Sequence, residues 1–349
     1  MKRYDVLIVG DFPPATHTGI SMVNALVRDI LIEQGRAVHI IDESAWVYKG
    51  IKRAIHYLLG SHFSLLKFLL SSRTKYVYLN IPLSVAGQLR LLISCIIVKV
   101  FSPSSNLIGH IHRGDISVLA QKSINRCVFK LILAFFSTVV VLSKKFEVDL
   151  KSISPRTNSL VIPNTSLLEG LTRKPDVATR NDFVCVSNII ETKGLADLVE
   201  AFSDYRLKDY RLKIVGNIYD KLFYDNLIRN KSSNVEFITD SDREKVNALI
   251  LSSQCLILPS WNEGQPLVIL EAMSVGLPII ATNVGDIENM LGTDYQFLYE
   301  PHNVNMLIIK VLEFISFEAK DEISLKIREN YLKNYSRAIF TNNIHKLFK

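Results

Sequence analysis

The amino-acid sequence predicts an α/β protein made of two doubly wound domains that face each other across a cleft. The chain has 349 residues, a length that suggests two domains. Short apolar runs alternate along it with helical patterns, which is typical of parallel sheets covered by helices on both faces. Polar loops follow several of these runs, and ligands of open α/β sheets bind at the carboxyl ends of the strands.

The bulk composition favours a globular protein without a membrane span. The chain is 48% hydrophobic and 21% charged, and no run reaches the roughly 18–20 apolar residues that cross a bilayer. Its first residues become polar too soon for a signal peptide. The four cysteines are widely spaced within apolar runs, without metal-ligand or redox spacing. We therefore expect reduced thiols and a cytoplasmic location.

The first half of the chain opens with a strand, a polar loop and a helix. Residues 4–10 predict a buried strand, a glycine-bearing loop follows, and a helix over about 21–34 leads to a second strand at 37–41. The helix predicted next covers 84–100. The other strands predicted in this half lie at 76–79, 106–111, 139–142 and 160–162.

The second half repeats the alternation and contains the most informative stretch, residues 255–282. A buried strand, a polar loop, a helix from Pro266 to about residue 275 and another buried strand follow one another there. Before it, strands are predicted at 182–187, 211–216 and 235–238, with a helix over 242–252. Residues 320–349 are predicted to be helical.

Glu271 is the unusual residue of the helix predicted over 266–275. Between positions 267 and 275 only Glu271 and Ser274 are polar, and a helix that is apolar all round is normally buried. A buried carboxylate needs a partner. Two interpretations stay open, a structural ion pair with an Arg or Lys and contact with a polar ligand. Glu263 lies eight residues earlier, in a loop at the carboxyl end of a strand, which favours the ligand.

The segment 259–282, PSWNEGQPLVILEAMSVGLPIIAT, resembles the Glu-x7-Glu motif of the group 1 glycosyltransferases, with Glu263 and Glu271 as its glutamates. This large family, family four, comprises retaining enzymes that depend on nucleotide sugars. The resemblance implies the GT-B fold of two Rossmann-like domains. These would be an N-terminal acceptor-side domain over 1–168 and a C-terminal nucleotide-sugar-binding domain over 175–325. A C-terminal helix, about 326–349, would pack back on the first domain.

The resemblance also implies roles for the matched residues. Glu263, His112 and Lys193 would be catalytic, with Glu263 at the donor sugar, Lys193 at the diphosphate and His112 at the donor sugar or the acceptor. Glu271 would hold the nucleotide ribose. The remaining donor-binding residues would be Gly19, Asn188, Gly216, Gly264, Gln265, Leu267 and Val268. Leu267 and Val268 would act through backbone N–H groups at a helix N-terminus. Neither a metal nor another cofactor is implied, because Lys193 and the helix dipole can neutralise the leaving diphosphate.

Three positions depart from the family pattern. Thr18 replaces the first glycine of a pair, Asn188 stands where an arginine is expected, and Asp286 replaces the second glycine of a Gly-Gly turn. The missing arginine removes a fork of hydrogen-bond donors suited to phosphate. Either Arg113 or another residue compensates, or donor binding is weaker, or the chain is not an active member.

The segment 44–114 is both basic and apolar. It contains no acidic residue between Ser44 and Gly114, whereas lysines and arginines recur throughout. Its apolar residues recur at three- and four-residue spacing: Ile51, Ile55, Leu58, Leu59, Leu65, Leu66, Leu69 and Leu70. This pattern is typical of a segment that lies on an anionic membrane surface. It is equally typical of two helices packed on a sheet.

The function expected from the resemblance is sugar transfer from a UDP- or GDP-linked donor to a glycan or lipid-linked acceptor. Bacterial surface polysaccharide biosynthesis, of lipopolysaccharide or capsule, would be the setting, with the protein peripheral at the cytoplasmic membrane. The alternative is a non-catalytic glycosyltransferase-like scaffold or regulatory subunit. A sugar-nucleotide epimerase of the same fold also stays open. No nucleic-acid partner is predicted, because the basic segment is aliphatic and lacks interleaved stacking aromatics.

Overall fold

The computed structural model describes residues 2–16, 18–44, 60–116, 123–171, 173 and 181–349. The described chain forms two compact units. Unit 1 comprises Met1–Asn164 and Ala338–Lys349, and unit 2 comprises Thr165–Arg337. Part of the basic segment lies outside the described residues. That part includes Lys49, Ile51, Lys52, Arg53, Ile55, Leu58 and Leu59.

Unit 1 is built on a six-stranded parallel sheet in the order β2-β1-β3-β4-β5-β6. Its strands are β1 (Lys2–Gly10), β2 (Val38–Asp42), β3 (Ser72–Asn80), β4 (Asn106–His110), β5 (Thr138–Val141) and β6 (Ser159–Val161). Its helices are α1 (Gly19–Glu33), α2 (Ser61–Ser71), α3 (Val85–Phe101), α4 (Ser123–Leu133) and α5 (Lys144–Ile153). The strand order reverses between β1 and β3, and such a reversal opens a crevice at the carboxyl ends of the strands.

Unit 2 contains the second six-stranded parallel sheet, in the order β12-β11-β10-β7-β8-β9. The strands are β7 (Asp182–Val186), β8 (Arg211–Val215), β9 (Val235–Ile238), β10 (Cys255–Leu258), β11 (Ile279–Thr282) and β12 (Leu298–Tyr299). The helices are α6 (Leu195–Ala201), α7 (Lys221–Asn230), α8 (Arg243–Ser252), α9 (Leu267–Val275), α10 (Ile287–Leu291), α11 (Val304–Ser316) and α12 (Lys320–Asn334). Here the order reverses between β7 and β10, as in dinucleotide-binding sheets.

The chain returns to unit 1 at Ala338, within α13 (Arg337–Leu347). The sequence predicts this return at about residue 326, but α12 packs against α9 and belongs to unit 2. Tyr331 of α12 is buried, and its hydroxyl donates to Glu169 over 2.6 Å. The break between the two helices falls at Tyr335 and Ser336.

Burial explains why the strands form where the apolar runs predict them. The four residues of β10 and the four of β11 are all buried, as expected for strands covered on both faces. Two helix starts differ from prediction. Helix α1 begins at Gly19, because Thr18 and Ser21 form a capping box there, and α9 begins at Leu267, with Pro266 as its extended N-cap residue. Among the described residues, no helix combines the length and apolarity that crossing a bilayer requires.

We predict that Phe348→Ala weakens unit 1 selectively. Phe348 is buried in unit 1, with its ring centroid 5.5 Å from that of Tyr76 and 6.2 Å from that of Tyr78. Loss of a buried phenylalanine ring costs about 3–5 kcal/mol. Hydrogen exchange followed by mass spectrometry in increasing urea should show earlier opening of β3 peptides and unchanged β10 peptides.

The matched control is Lys346→Ala, which changes an exposed residue of α13. It should leave the protection of both units unchanged. Equal loss of protection in the two units of the Phe348→Ala protein would contradict the prediction.

Candidate functional site

The carboxyl edge of the unit 2 sheet brings together the loops that follow β7, β10 and β11. Residues 187–194, 259–266 and 283–286 form these loops, on either side of the point where the strand order reverses. The backbone N–H of Trp261 donates to the carbonyl oxygen of Thr192 over 3.0 Å. The N–H of Asp286 donates to the carbonyl oxygen of Gly264 over 3.1 Å. Backbone bonds therefore join the middle loop to both of its neighbours.

Two glycines make this close approach of the loops possible. Gly194 and Gly285 have φ values of +65° and +63°, in the left-handed region that favours glycine. A Cβ atom at Gly194 would lie 2.0 Å from the carbonyl oxygen of Pro259. A Cβ at Gly285 would lie 2.2 Å from the carbonyl oxygen of Glu263. Any other residue at either position would push the middle loop away.

Lys193 and Glu263 meet where these loops touch. The Nζ atom of Lys193 lies 2.6 Å from Oε1 of Glu263, although the two residues are 70 positions apart in the sequence. Lys193 ends a short 3-10 helix, Glu191–Lys193, and Gly194 follows it. The side chains are 24% and 11% exposed, so the pair is partly open to solvent. The structure thus joins two of the predicted catalytic residues in one ion pair.

Glu271 is buried in α9 and pairs with Arg243. Its side chain is 2% exposed, and its Oε1 accepts from Nη2 of Arg243, the first residue of α8. Burial raises the pKa of Glu271, and the charge and hydrogen bond of Arg243 oppose that rise. The ion-pair interpretation of Glu271 therefore has its partner within the protein. Contact of this carboxylate with a ribose stays a prediction.

The N-terminus of α9 lies in the same group of loops. The first bond of the helix turn runs from the N–H of Ile269 to the carbonyl oxygen of Pro266. The N–H groups of Leu267 and Val268 precede it, at the positive end of the helix dipole. Gln265 is buried, and its Nε2 donates to Oδ2 of Asp286 over 3.1 Å.

The other predicted donor-binding residues of unit 2 follow neighbouring strands. Asn188 comes after β7, and Gly216 comes directly after β8. A Cβ atom at Gly216 would lie 1.9 Å from the carbonyl oxygen of Ser187, so a side chain there would displace the residue before Asn188. Donor binding by these two residues remains a prediction.

Gly19 and His112 lie in unit 1. Gly19 is the first residue of α1, and the side chain of Thr18 caps that helix by accepting from the N–H of Ser21. His112 follows β4, and its Nε2 lies 3.0 Å from Oδ1 of Asn80. Arg113, considered as a substitute for the missing arginine, instead forms two hydrogen bonds to Asp115, of 2.9 and 2.6 Å.

His112 packs against a second histidine. The ring centroids of His110 and His112 are 3.9 Å apart, and the Tyr78 hydroxyl bonds to Nδ1 of the buried His110. Burial lowers the pKa of His112 to about 3. His112 is therefore a neutral imidazole at physiological pH and can both donate and accept a hydrogen bond.

Sequence reasoning missed several residues that shape the unit 2 site. Arg243 begins α8 directly after the capping residue Asp242, and nothing in the spacing tied it to Glu271. Asp286 looked like a lost glycine, yet it is buried and also accepts from Nδ2 of Asn289 over 2.9 Å. Trp261 donates from its indole to Asp197 over 3.1 Å. The sequence feature that could have indicated Trp261 is an indole within a polar loop, since a buried indole N–H usually has a hydrogen-bond partner.

Two parallel sheets with a reversal in strand order, each with polar loops at its carboxyl edge, define a protein of the GT-B class. Solved structures agree on this fold. Sucrose-phosphate synthase from Thermosynechococcus elongatus matches with a TM-score of 0.81 at 16% identity, over 99% of this chain and 98% of that one. Anabaena HepE, solved with UDP and glucose, matches with a TM-score of 0.77 at 16% identity, over 99% of both chains.

The family is evident in the second half of the chain. Residues 172–336 match the family model described as "Glycosyl transferases group 1". An uncharacterized glycosyltransferase of Methanocaldococcus jannaschii is 26% identical over 211 residues. That match covers 60% of this chain and 58% of the relative's length.

We predict that Arg243→Ala destabilises unit 2 in a pH-dependent way. Removal of one partner from a buried ion pair typically costs about 3–5 kcal/mol. Arg243 is 40% exposed, so solvent screening reduces the expected loss to about 1–3 kcal/mol.

The sign of the pH dependence follows from Glu271. Burial raises the pKa of Glu271 in the folded state, so the folded protein binds a proton at this carboxyl more tightly than the unfolded chain does. The free energy of unfolding therefore falls as pH rises above the pKa of the unfolded chain. Without Arg243 the pKa rises further. The decrease in the free energy of unfolding caused by Arg243→Ala, measured by urea denaturation, should therefore be greater at about pH 8 than at about pH 5. Arg229→Ala, on the exposed surface of α7, is the control. An equal loss at both pH values would contradict the prediction.

Proposed function

We propose that the chain is a retaining glycosyltransferase that transfers a sugar from a nucleotide diphosphate sugar. The observation that carries this proposal is the Lys193–Glu263 ion pair beside the N-terminus of α9, at the reversal in strand order of unit 2. A cation, a carboxylate and free helix N–H groups at one sheet edge suit a diphosphate joined to a sugar. The group 1 family match over residues 172–336 supports the same activity.

The proposed roles follow from charge. The diphosphate would bind the N–H groups of Leu267 and Val268 and the ammonium group of Lys193. Because Lys193 pairs with Glu263, a diphosphate that binds the ammonium group would release the Glu263 carboxylate from the ion pair. Glu263 would then accept from sugar hydroxyls or stabilise positive charge that develops on the sugar ring. Such preorganised charge is a strong contribution to catalysis.

The remaining roles complete the proposed binding of the donor. Glu271 would accept both hydroxyls of the ribose, which requires the half-exposed Arg243 to shift or to share its carboxylate partner. Gly264, Gln265, Asn188, Gly216 and Gly19 would shape the donor site through their backbones and close packing. His112 would contact the sugar or the acceptor. The bond between the sugar and the diphosphate breaks, and the acceptor oxygen bonds to the same face of the sugar, which retains configuration. The proton of the acceptor hydroxyl passes to the departing nucleoside diphosphate.

A UDP- or GDP-linked donor and a glycan or lipid-linked acceptor, as in bacterial surface polysaccharide assembly, are the proposed substrates. The HepE structure contains UDP and glucose, which supports a UDP-linked donor. A non-catalytic scaffold or regulatory subunit is the second candidate, favoured by Asn188 in place of the expected arginine. Binding of a nucleotide sugar with no transfer or hydrolysis would decide for it.

We predict that a true donor raises the melting temperature and that its turnover depends on Lys193 and Glu271. Thermal-shift measurements against UDP-, GDP- and ADP-linked sugars would identify the donor, because a ligand stabilises the folded state by mass action. With that donor, Lys193→Ala and Glu271→Gln should each lower turnover by about tenfold or more. Release of the nucleoside diphosphate, with or without acceptor, is the measurement.

The control is Lys221→Ala, which removes another paired lysine of unit 2, on the exposed surface of α7. Circular dichroism should show that all three variants are folded. Turnover at the wild-type rate in both the Lys193→Ala and the Glu271→Gln variants would contradict the proposed site.

An anionic membrane surface is the proposed partner of unit 1. Helix α3 buries Leu91, Cys95 and Val98 in the core, yet its other face is also apolar. We call that face the α3 stripe; its members are 45–65% exposed and are Val85, Leu89, Ile93, Ile96 and Val100. Surface helices normally carry polar residues on the outer face, and exposed apolar patches mark interaction sites.

The charges around the α3 stripe favour an anionic lipid surface over a second apolar protein. Helices α2 and α4 pack on either side of α3, and none of the three contains an acidic residue. They carry the basic residues Lys67, Lys99, Arg126 and Lys130 instead, whereas Arg90 of α3 is paired with Glu43 over 2.8 Å. Apolar insertion combined with attraction to anionic headgroups is the physical basis of peripheral binding.

We predict that the double variant Leu89→Asp/Ile93→Asp lowers co-sedimentation with phosphatidylglycerol vesicles by about tenfold or more. Lost apolar burial and repulsion between carboxylates and headgroups both act in this direction. Wild-type binding should weaken as salt is raised.

The matched control is Leu222→Asp, at an 82% exposed leucine of unit 2. It should bind vesicles as the wild type does. Equal sedimentation of the wild type with neutral and anionic vesicles would remove the proposal.

A further inference from the structure

A glycine, an asparagine and a histidine lie next to one another at the carboxyl edge of the unit 1 sheet. Gly10 ends β1, Asn80 ends β3 and His112 follows β4, and these three strands are neighbours in the sheet. The row begins where the strand order of unit 1 reverses, between β1 and β3. It therefore lies at the edge where open α/β sheets bind ligands.

Asn80 is held between β1 and His112. A Cβ atom at Gly10 would lie 2.6 Å from Nδ2 of Asn80 and 2.7 Å from Nδ2 of Asn24. The buried Asn24 is itself tied to the carbonyl oxygen of Asp11 over 3.0 Å. The glycine thus leaves just enough room for the nitrogen of the Asn80 amide. Its oxygen is directed to Nε2 of His112, 3.0 Å away.

This contact fixes which nitrogen of His112 carries the proton. An amide oxygen can only accept, so Nε2 must donate to it. Burial keeps the ring neutral by lowering its pKa to about 3, and Nδ1 therefore keeps its lone pair. The ring of His110 lies 3.9 Å away between centroids, with its plane tilted by 35°, and bonds to Tyr78; its contact limits rotation of the His112 ring.

We propose that Asn80 is a positioning residue that holds His112 as the Nε2–H tautomer and presents its Nδ1 as a hydrogen-bond acceptor to a substrate hydroxyl. Gly10 contributes to the same arrangement, because the absence of a side chain there leaves space for the Asn80 amide. This inference rests on the proposed function, in which His112 contacts the sugar or the acceptor. Asn80 itself need not touch the substrate.

The first test uses the protein alone and is independent of any activity. In ¹⁵N-histidine-labelled wild type, NMR should show His112 with its proton on Nε2, in slow exchange with water. In Asn80→Ala the Nε2 proton should exchange rapidly and the tautomers should mix. Asn80→Asp supplies another oxygen acceptor and should restore the slowly exchanging Nε2 proton. A wild-type proton on Nδ1, or an Nε2 proton unchanged in Asn80→Ala, would overturn the proposal.

The second test is a double-mutant cycle on donor hydrolysis, with the nucleotide sugar that gives the largest thermal shift. Asn80→Ala should lower kcat about tenfold and leave KM within about twofold. The same change made in a His112→Ala protein should have no further effect, because a positioning residue acts through its partner. Equal losses in the two backgrounds would show that Asn80 acts on its own and would overturn the positioning role.

The matched control is Asn106→Ala, which changes an exposed asparagine at the opposite, amino end of β4. It should leave both the NMR signals and kcat unchanged. Failure of the proposed function is distinguishable from failure of this inference. If no nucleotide sugar is bound or hydrolysed by the wild type, the function fails, while the NMR comparison still decides whether Asn80 sets the tautomer.

Discussion

The close approach of three backbone loops is the constraint on which the unit 2 site depends. The loop that carries Glu263 touches its neighbours through main-chain atoms, and Gly194 and Gly285 meet it where a Cβ has no room. Backbone contacts of this kind fix a loop more firmly than side-chain contacts, because few rotatable bonds separate the touching atoms. The ion pair of Lys193 with Glu263 follows from that geometry. So does the position of the α9 N-terminus, whose first residue comes four positions after Glu263.

The carboxyl edge of the unit 1 sheet has a similar close contact beside a glycine, but the groups there are neutral. Its strand order also reverses beside a glycine, and the space beside Gly10 is filled by the amide of Asn80 in place of a backbone carbonyl. The histidine that this amide contacts is uncharged, whereas the pair in unit 2 is ionic. One sheet edge thus offers charge to an anion, and the other offers oriented hydrogen-bonding groups to hydroxyls.

Much of the fold could be predicted from the sequence because buried parallel strands are continuous apolar runs. The runs that became β1, β7, β10 and β11 are of this kind. Spacing within one loop and helix also sufficed to single out Glu263 and Glu271. Contacts across long sequence separations could not be predicted, since a single sequence does not record which loops meet. Arg243 lies 28 positions from Glu271, and its role appears only when α8 is placed beside α9. Helix starts were misjudged where local hydrogen bonds decide them, as Thr18 does for α1.

The return of the chain to unit 1 imposes an order on the synthesis of the protein. The strands of unit 1 leave the ribosome before unit 2, but Phe348, which covers Tyr76 and Tyr78, follows the whole of residues 165–337. At about 5–20 residues per second, that interval is on the order of 10–35 s. During it, Tyr76 and Tyr78 lack the aromatic ring that packs against them in the folded protein. The core of unit 1 is therefore completed only after a delay, and the number of residues in unit 2 sets the duration of that delay.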